Sequence, residues 1–154
     1  MNVMNFQDYD VIFNVFQALE KRHMEAASEC LDGNFKSEIL KQPVGATQFL
    51  ELFRRVKEGM PDARFTIEDL TSDGETFKAK IKISGTHTHI IPSLRKGWKA
   101  LKPTGKRINK VEAAVELVLR GSRIVEIRNC ESGKGAIAVL LQELELLPKS
   151  YSLN

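Results

Sequence analysis

The stretch FKAKIKISGTHTHI, residues 77–90, alternates apolar and polar side chains and then carries two histidines. Its odd-numbered residues up to Ile83 are apolar, and the even-numbered ones between and after them are three lysines and a serine. This period of two is typical of a β-strand that buries one face. If the strand continues straight, His87 and His89 point the same way as the apolar side chains. If it ends at Gly85, both histidines lie in a solvated loop.

Three other segments show the same alternation and predict, with the first, a sheet of four strands in antiparallel succession. They are ARFTIEDL (63–70), NKVEAAVELVLRG (109–121) and RIVEIRNCE (123–131). The sequences SDG (72–74) and GS (121–122) are typical of the turns between such strands. One face is apolar, and charges of opposite sign on the other face can pair across strands: Lys78, Lys80, Lys82, Glu112 and Glu116.

Apolar residues at spacings of three and four predict two helices before the sheet and a short one after it. The first lies in YDVIFNVFQALEKRHMEAASECL (9–31) and ends at DGN (32–34), which breaks the pattern. The second lies in GATQFLELFRRVKEGM (45–60), with Gly45 or Thr47 as its start and Gly59 as its end. The last lies in GAIAVLLQELELLP (135–148). Helices first and strands later indicate an α+β fold, with helices on the concave face of a curved antiparallel sheet.

The composition predicts one globular domain spanning residues 1–154. Apolar residues make up 42% and charged residues 28% of the chain, and its 154 residues are enough to bury a core without disulfides or a structural metal. The two cysteines, Cys30 and Cys130, belong to no metal-ligand pattern, and we expect reduced thiols in a cytoplasmic protein without a metal site. The N-terminus is acidic and interrupted by polar residues, so we expect neither a secretory signal nor a membrane span.

The segment from Pro92 to Arg107 gathers basic residues around Trp98. Such a cluster can hold an anion, a phosphate or a single-stranded nucleic acid. Alternatively, the segment is a solvated lid or an oligomer contact that the burial of Trp98 anchors. We favour this second interpretation over nucleic-acid binding, because the net charge is only +3 and the rest of the chain has no basic stripe. The basic residues are Arg95, Lys96, Lys99, Lys102, Lys106 and Arg107.

Several short motifs occur in an order typical of one family. They are Pro61-Asp62 before a strand, IEDL (67–70), Gly85-Thr86-His87 at a strand end, KPTGKR (102–107), RIVEIRN (123–129) and LLQELELLP (140–148). Residues 61–148 therefore resemble the SnoaL-like polyketide cyclases, also called ester cyclases, of the nuclear-transport-factor-2-like superfamily. The resemblance implies a cone-shaped α+β barrel in which a strongly curved sheet wraps around helices. It also implies an apolar pocket at the open end and a homo-oligomer, a dimer or larger.

For function, the resemblance implies a small-molecule ligand and, in some members, ring closure of polyketide esters without a cofactor. Such chemistry needs a base and donors that stabilise an enolate. His87 matches the family's strand-end histidine. The family's carboxylate on the following strand is missing, because VEAAVEL (111–117) carries glutamates only at positions of the opposite parity. Asp69, in phase with Phe65 and Ile67, is a substitute unless it ends its strand or caps the turn.

We therefore predict a small-molecule enzyme of the cyclase or isomerase type, or a binder, with His87 and Asp69 as catalytic groups and His89 in support. One alternative is a non-catalytic ligand-binding or oligomerisation module of the same fold. Another is an anion-binding module built around the Trp98 segment. The residues predicted to line the pocket are Phe65, Ile67, Ile81, Ile83, Val115 and Trp98.

Overall fold

The computed structural model describes residues 6–37, 43–74, 76–94, 99–130, 139–140 and 143–144. The helices in these ranges are α1 (Phe6–Glu20), α2 (Met24–Glu29) and α3 (Ala46–Gly59). The strands are β1 (Leu31–Ser37), β2 (Val44–Gly45), β3 (Arg64–Ser72), β4 (Phe77–Thr86), β5 (Arg107–Arg120) and β6 (Arg123–Asn129).

The strands form one mixed sheet in the order β2-β1-β6-β5-β4-β3, which packs on the helices. Strands β3 to β6 pair antiparallel in succession, as the sequence predicts, whereas β1 runs parallel to β6. The predicted α+β class is confirmed. Within the described ranges the sheet is not closed, because β2 and β3 form its two edges.

Strand β1 was missed by the sequence prediction, because its DGN residues look like a helix terminator. In the structure these residues lie inside the strand and interrupt its pairing with β6. Leu31 pairs with Ile124 and Lys36 with Glu126, so the longer β1 segment bulges between these pairs. The N–H of Asn34 donates to the carboxylate of Asp32 at 2.9 Å, which stabilises the irregularity locally.

The alternation along β4 becomes burial of one face. Phe77, Ala79, Ile81 and Ile83 are buried, and the residues between them are exposed or half-buried. In the register, Ile81 lies between Ile67 of β3 and Ala113 of β5, so apolar side chains of three strands share the inner face. This shared face is the surface on which α1 and α3 pack.

The outer face carries the predicted cross-strand ion pairs. The amine of Lys82 lies 3.2 Å from Glu68 and 3.9 Å from Glu112, and the guanidinium of Arg128 lies 3.3 Å from Glu116. Each such exposed pair contributes about 0–1 kcal/mol, because water screens it. The outer face is therefore a solvated, charged surface.

The helical part follows the predicted periodicity with one interruption. The predicted first helix is divided at residues 21–23, where Arg22 has φ 61°, so α1 and α2 are separate. Helix α3 begins after Gly45 and ends at Gly59, as expected. No helix within the described ranges is long and apolar enough to cross a membrane.

Phenylalanine rings fill the space between α3 and the sheet. The ring centroid of Phe49 lies 5.0 Å from the ring centroids of Phe35 and Phe53. The ring centroids of Phe53 and Phe65 lie 5.1 Å apart. Each such pair contributes about 0.5–1.5 kcal/mol to the stability of the fold beyond the effect of burying its surface.

Of the predicted C-terminal helix, the structure describes the helical residues 139–140 and 143 and the turn residue 144. Leu140 and Leu144 are buried there, and the Leu144 N–H donates to the Leu140 carbonyl at 3.0 Å.

We expect Gly59→Ala to destabilise the protein, because a Cβ at this position would lie 2.0 Å from Cγ1 of Ile91. Overpacking of this kind costs about 1–3 kcal/mol, measured as the free energy of unfolding in urea. Gly33→Ala is the matched control, since its Cβ would meet nothing within 4 Å. Equal losses in the two variants would contradict the close approach of α3 to the segment after β4.

Candidate functional site

Three of the sequence motifs meet at the end of β4. The carboxylate of Asp62 accepts hydrogen bonds from the Thr86 N–H at 2.7 Å and from the Thr86 hydroxyl at 3.1 Å. Arg107 donates to the same carboxylate at 3.1 Å. The Thr86 backbone N–H, followed by its hydroxyl and the Arg107 charge, holds the pKa of Asp62 below its usual value. The Pro-Asp, Gly-Thr-His and PTGKR motifs thus form one hydrogen-bonded junction.

Gly85 is required at this junction for its conformation and its size. Its φ is 153°, a backbone geometry that L side chains rarely adopt. A Cβ there would also lie 2.9 Å from both the Ala63 Cα and the Met60 Cε. The missing side chain lets β4 pass directly over the residues that lead into β3.

His87 follows directly after β4 and is completely buried. Its N–H donates to the Lys106 carbonyl at 2.9 Å, and its carbonyl accepts from the Gly105 N–H at 2.8 Å. These bonds extend the pairing of β4 with the residues before β5. The predicted inward direction of the side chain is confirmed.

The two ring nitrogens of His87 have different surroundings. Nδ1 lies 3.0 Å from the Thr104 hydroxyl oxygen and accepts from the Thr104 N–H at 3.3 Å. Nε2 is buried and has no hydrogen-bond partner among the described residues. A buried polar atom without a partner costs about 1–3 kcal/mol, so its retention calls for an explanation.

Burial lowers the pKa of His87, and the backbone of His89 and of Leu101, neither of which makes a hydrogen bond of good geometry to Nε2, counteracts this effect only in part. The imidazole is therefore neutral at pH 7. A neutral imidazole carries one proton, and the backbone N–H of Thr104, which can only donate, faces Nδ1. The proton accordingly lies on Nε2, which makes this atom a hydrogen-bond donor.

His89 does not share the interior with His87. The N–H groups of Thr88 and His89 both donate to the Gly59 carbonyl, at 3.2 and 3.0 Å, and this contact turns the chain away from the strand direction. The side chain of His89 is exposed, and its Nδ1 lies 2.8 Å from the Thr88 hydroxyl. The prediction that His89 faces inward is wrong, because alternation stops where the strand ends.

The prediction that Asp69 faces inward is also wrong. The pairing of β3 with β4 shifts between Glu68 and Thr71, and Asp69 has φ 55° at this bulge. Its side chain is 71% exposed, with the carboxylate 3.7 Å from Lys80 on the outer face. The bulge inserts one residue and so reverses the facing that the period of two predicts.

The predicted pocket-lining residues Phe65, Ile67, Ile81, Ile83 and Val115 are all buried in the core. Phe65 and Ile67 also line an open groove of about 360 Å³ between α1 and β3, with Glu20 and Arg64 on the same groove. Trp98, like Arg95 and Lys96, lies outside the described residues.

No carboxylate replaces Asp69 on the inner face of the described sheet. Val111, Ala113, Val115 and Leu117 of β5 are buried, while Glu112 and Glu116 take part in the outer ion pairs. The buried polar or charged residues in the described part of the chain are Ser37, Lys57 and His87.

Ser37 and Lys57 are accounted for by structural hydrogen bonds. The Ser37 hydroxyl donates to the Ile127 carbonyl at 2.6 Å, and the Lys57 amine donates to the carbonyls of Pro61 and Ala63, both at 2.8 Å. His87 alone among the three has a buried polar atom without a partner in the described structure. Within the described residues, no three His, Cys, Asp or Glu side chains are grouped so that they could hold a metal ion.

Thr104 is the functional-site residue that the sequence analysis missed. It lies in the KPTGKR motif, which carried the resemblance but suggested no individual role. The pairing of Gly85 with Ile108 and Thr86 with Arg107 places Lys106 opposite His87, and Thr104 lies two residues before Lys106, across Gly105 with its φ of 72°. A register assigned between the two strands would have indicated Lys106 as the partner of His87, so it would not by itself have identified Thr104.

The sequence profile of the SnoaL-like polyketide cyclases matches residues 11–136. The chain belongs to the SnoaL-like polyketide cyclase family. A comparison with curated protein sequences finds no significant match.

Solved structures share the fold at low sequence identity. A proposed SnoaL-like polyketide cyclase from Jannaschia sp. CCS1 is 16% identical, with a TM-score of 0.71, covering 96% of this chain and 98% of its own. AclR, a proposed hydroxylase from Streptomyces galilaeus, is 15% identical, with a TM-score of 0.67, and the match covers 94% of this chain and 85% of AclR. An NTF2-like protein of unknown function from Cytophaga hutchinsonii is 15% identical, with a TM-score of 0.53, and the match covers 83% of this chain and 91% of that protein. Because these names span different activities, the fold does not fix the reaction.

The buried imidazole predicts a pH dependence of stability. The folded-state pKa of His87 lies below the ordinary value of 6.5, so the unfolded chain binds more protons between the two values. The free energy of unfolding therefore contains a contribution from His87 that is complete above pH 6.5 and is lost as the pH falls below it. Urea unfolding of wild type and His87→Phe at a series of pH values measures this contribution as their difference.

We expect that difference to decrease on acidification. His89→Phe is the matched control, because it makes the same substitution at an exposed imidazole. A difference between wild type and His87→Phe that stays constant through this range would contradict the burial of a neutral imidazole.

Proposed function

We propose that the protein binds an apolar small molecule that carries a carbonyl group, of the polyketide or ester type, and that His87 is the polar group that meets it. The observation that supports this proposal is the buried Nε2 without a partner in the described structure. A carbonyl oxygen is an acceptor that can approach a single buried N–H without bringing a charge into the interior. Binding would then recover the hydrogen bond that the free protein lacks.

The surroundings of His87 suit an apolar ligand. The side chains at this end of the fold that the structure describes as buried include Met60, Ile91 and Ile108. A ligand seated here would gain about 25 cal/mol per Å² of apolar surface removed from water, and one directed hydrogen bond would orient it. In small-molecule sites, apolar contacts usually supply most of the affinity and a few polar groups fix the orientation of the ligand.

The same geometry supports a limited chemistry without a cofactor. An Nε2–H that donates to a carbonyl oxygen polarises the C=O bond and stabilises the enolate that forms when a neighbouring C–H loses its proton. A cyclase or isomerase also needs a base that accepts this proton. Neither Asp69 nor a residue on the described inner face of β5 supplies that base.

The second candidate function is therefore non-catalytic binding by the same site. The aliphatic inner face of β5 and the phenylalanine-filled space under the sheet favour it, because both lack groups for proton transfer. The two candidates share the ligand and the role of His87 as a donor. Turnover of an ester ligand separates them.

We also propose that the protein acts in the cytoplasm as a homo-oligomer, a dimer or larger. The structure does not join Cys30 and Cys130 in a disulfide, and this supports the reducing compartment. The resemblance of residues 61–148 to the family supports the oligomer. Light scattering coupled to size-exclusion chromatography tests the oligomer, and a mass equal to 17.4 kDa would contradict it.

We expect methyl naphthoate to raise the melting temperature of the wild-type protein more than isopropylnaphthalene does, because only the ester offers an acceptor to Nε2. In His87→Phe the two compounds should act equally, since the phenyl ring has no donor. Losing one such hydrogen bond corresponds to roughly five- to tenfold weaker binding of the ester. Thermal shift and titration calorimetry measure both effects.

His89→Phe serves as the control, because it makes the same substitution two residues away on the exposed side. Circular dichroism verifies that each variant is folded. A wild-type protein that binds neither compound, or that binds both equally well, would overturn the proposal. Hydrolysis of methyl naphthoate, or ring closure or isomerisation of an aryl β-keto ester, which has the acidic C–H that an enolate needs, would favour the enzyme over the binder if it is lost in His87→Phe.

A further inference from the structure

Two donors of one residue converge on a single nitrogen of the buried histidine. The backbone N–H of Thr104 lies 3.3 Å from Nδ1 of His87, and the Thr104 hydroxyl oxygen lies 3.0 Å from the same atom. Nδ1 has one lone pair in the plane of the ring, so both groups compete for or share the same acceptor. This arrangement is compatible with an unprotonated Nδ1 and opposes a proton there.

The hydroxyl is itself oriented by its own turn. The N–H of Lys106 donates to the Thr104 hydroxyl oxygen at 3.3 Å, which leaves the hydroxyl proton available for Nδ1. Gly105, between these residues, has φ 72°, a conformation that lets the turn close tightly. The PTGK turn thus presents a backbone donor and a side-chain donor to one ring atom.

We propose that Thr104 is a positioning residue that holds His87 in the tautomer with its proton on Nε2, so that the site accepts ligands through an oxygen acceptor and rejects those that present a donor. The part that concerns ligands rests on the proposed function above. Thr104 acts through His87 and does not itself touch the ligand in this proposal.

The fixed tautomer has a chemical consequence. With Nδ1 occupied by Thr104, the ring cannot take a proton at Nδ1 while it donates one from Nε2, so it serves as a donor and not as a proton relay. Ketones, esters and enolates offer the required oxygen. A ligand group that can only donate, such as an indole N–H, would face the Nε2 proton and leave it unpaired.

The test uses Thr104→Val, which removes the hydroxyl and retains the backbone N–H, and Thr104→Ser, which restores the hydroxyl. Long-range proton–nitrogen NMR spectra of the ligand-free protein report the tautomer of each imidazole. The chain has only three histidines, and His87→Phe identifies the signals of His87. We expect a protonated Nε2 and an unprotonated Nδ1 in the wild type.

In Thr104→Val we expect the Nδ1 signal to move and the ratio of the Nε2–H to the Nδ1–H tautomer to fall, by roughly five- to tenfold, as one hydrogen bond is lost. Thr104→Ser should restore the wild-type spectrum. If Thr104 serves folding alone, Thr104→Val lowers the melting temperature and leaves the Nδ1 signal in place, and the proposal fails. A wild-type ring with its proton on Nδ1 would also overturn it.

These spectra are recorded without a ligand, so they judge Thr104 independently of the proposed function. Suppose that the spectra are as expected but the protein does not bind methyl naphthoate. Thr104 would then still be the residue that sets the tautomer, and only the ligand proposal would be overturned. Where the ester binds, Thr104→Val should weaken its binding and Thr104→Ser should restore it. Tighter binding of benzindole, which presents only an N–H donor, than of methyl naphthoate would contradict the predicted preference for an acceptor.

Discussion

The structure depends on the burial of one face of three neighbouring strands against α1 and α3. Ile81 of β4 lies between Ile67 and Ala113, and each of these pairs continues the apolar surface from strand to strand. Because side chains alternate with a period of two, a slip of one residue would expose this whole face. The same constraint directs the His87 side chain into the interior, since the backbone pairing with Lys106 and Gly105 continues beyond the strand. An ionisable group enters the core here because the strand's register places it there.

Regular alternation could be predicted from the sequence, and departures from it could not. The strands β3 to β6, helix α3 and the inward direction of His87 all follow from apolar periodicity. Asp69 and His89 have the same parity but are exposed, because Asp69 lies in a bulge of β3 and the backbone at Thr88 and His89 bonds to the Gly59 carbonyl instead of continuing the strand. The backbone pairing that decides such bulges is a property of two strands together. For the same reason β1 was missed, since its DGN residues become a bulge only when β6 lies beside them.

Two features of the candidate site were predictable: its central residue, His87, and the lack of an inward carboxylate on the described part of β5. The sequence places a histidine at the end of β4 and shows β5 without an inward carboxylate, and the structure agrees on both points. Thr104 was not predictable from its own motif, because its role arises from contact with a residue 17 positions away. Together these features describe a family member that retains a buried imidazole and has, on the described inner face of β5, no counterpart of the carboxylate that the resemblance implies. The function proposed above, binding and orientation of a carbonyl compound, requires no group beyond these described residues.

The exposure of the three histidines tests the central claim most directly. Diethyl pyrocarbonate modifies accessible neutral imidazoles, and peptide mass spectrometry locates each product. His23 and His89 are exposed and His87 is completely buried, so we expect rapid modification at 23 and 89 and a much slower modification at 87, which reaches their rate when the protein is unfolded. Modification of His87 in the native protein at the rate of His89 would show that its ring lies in solvent, and the site described above would not exist.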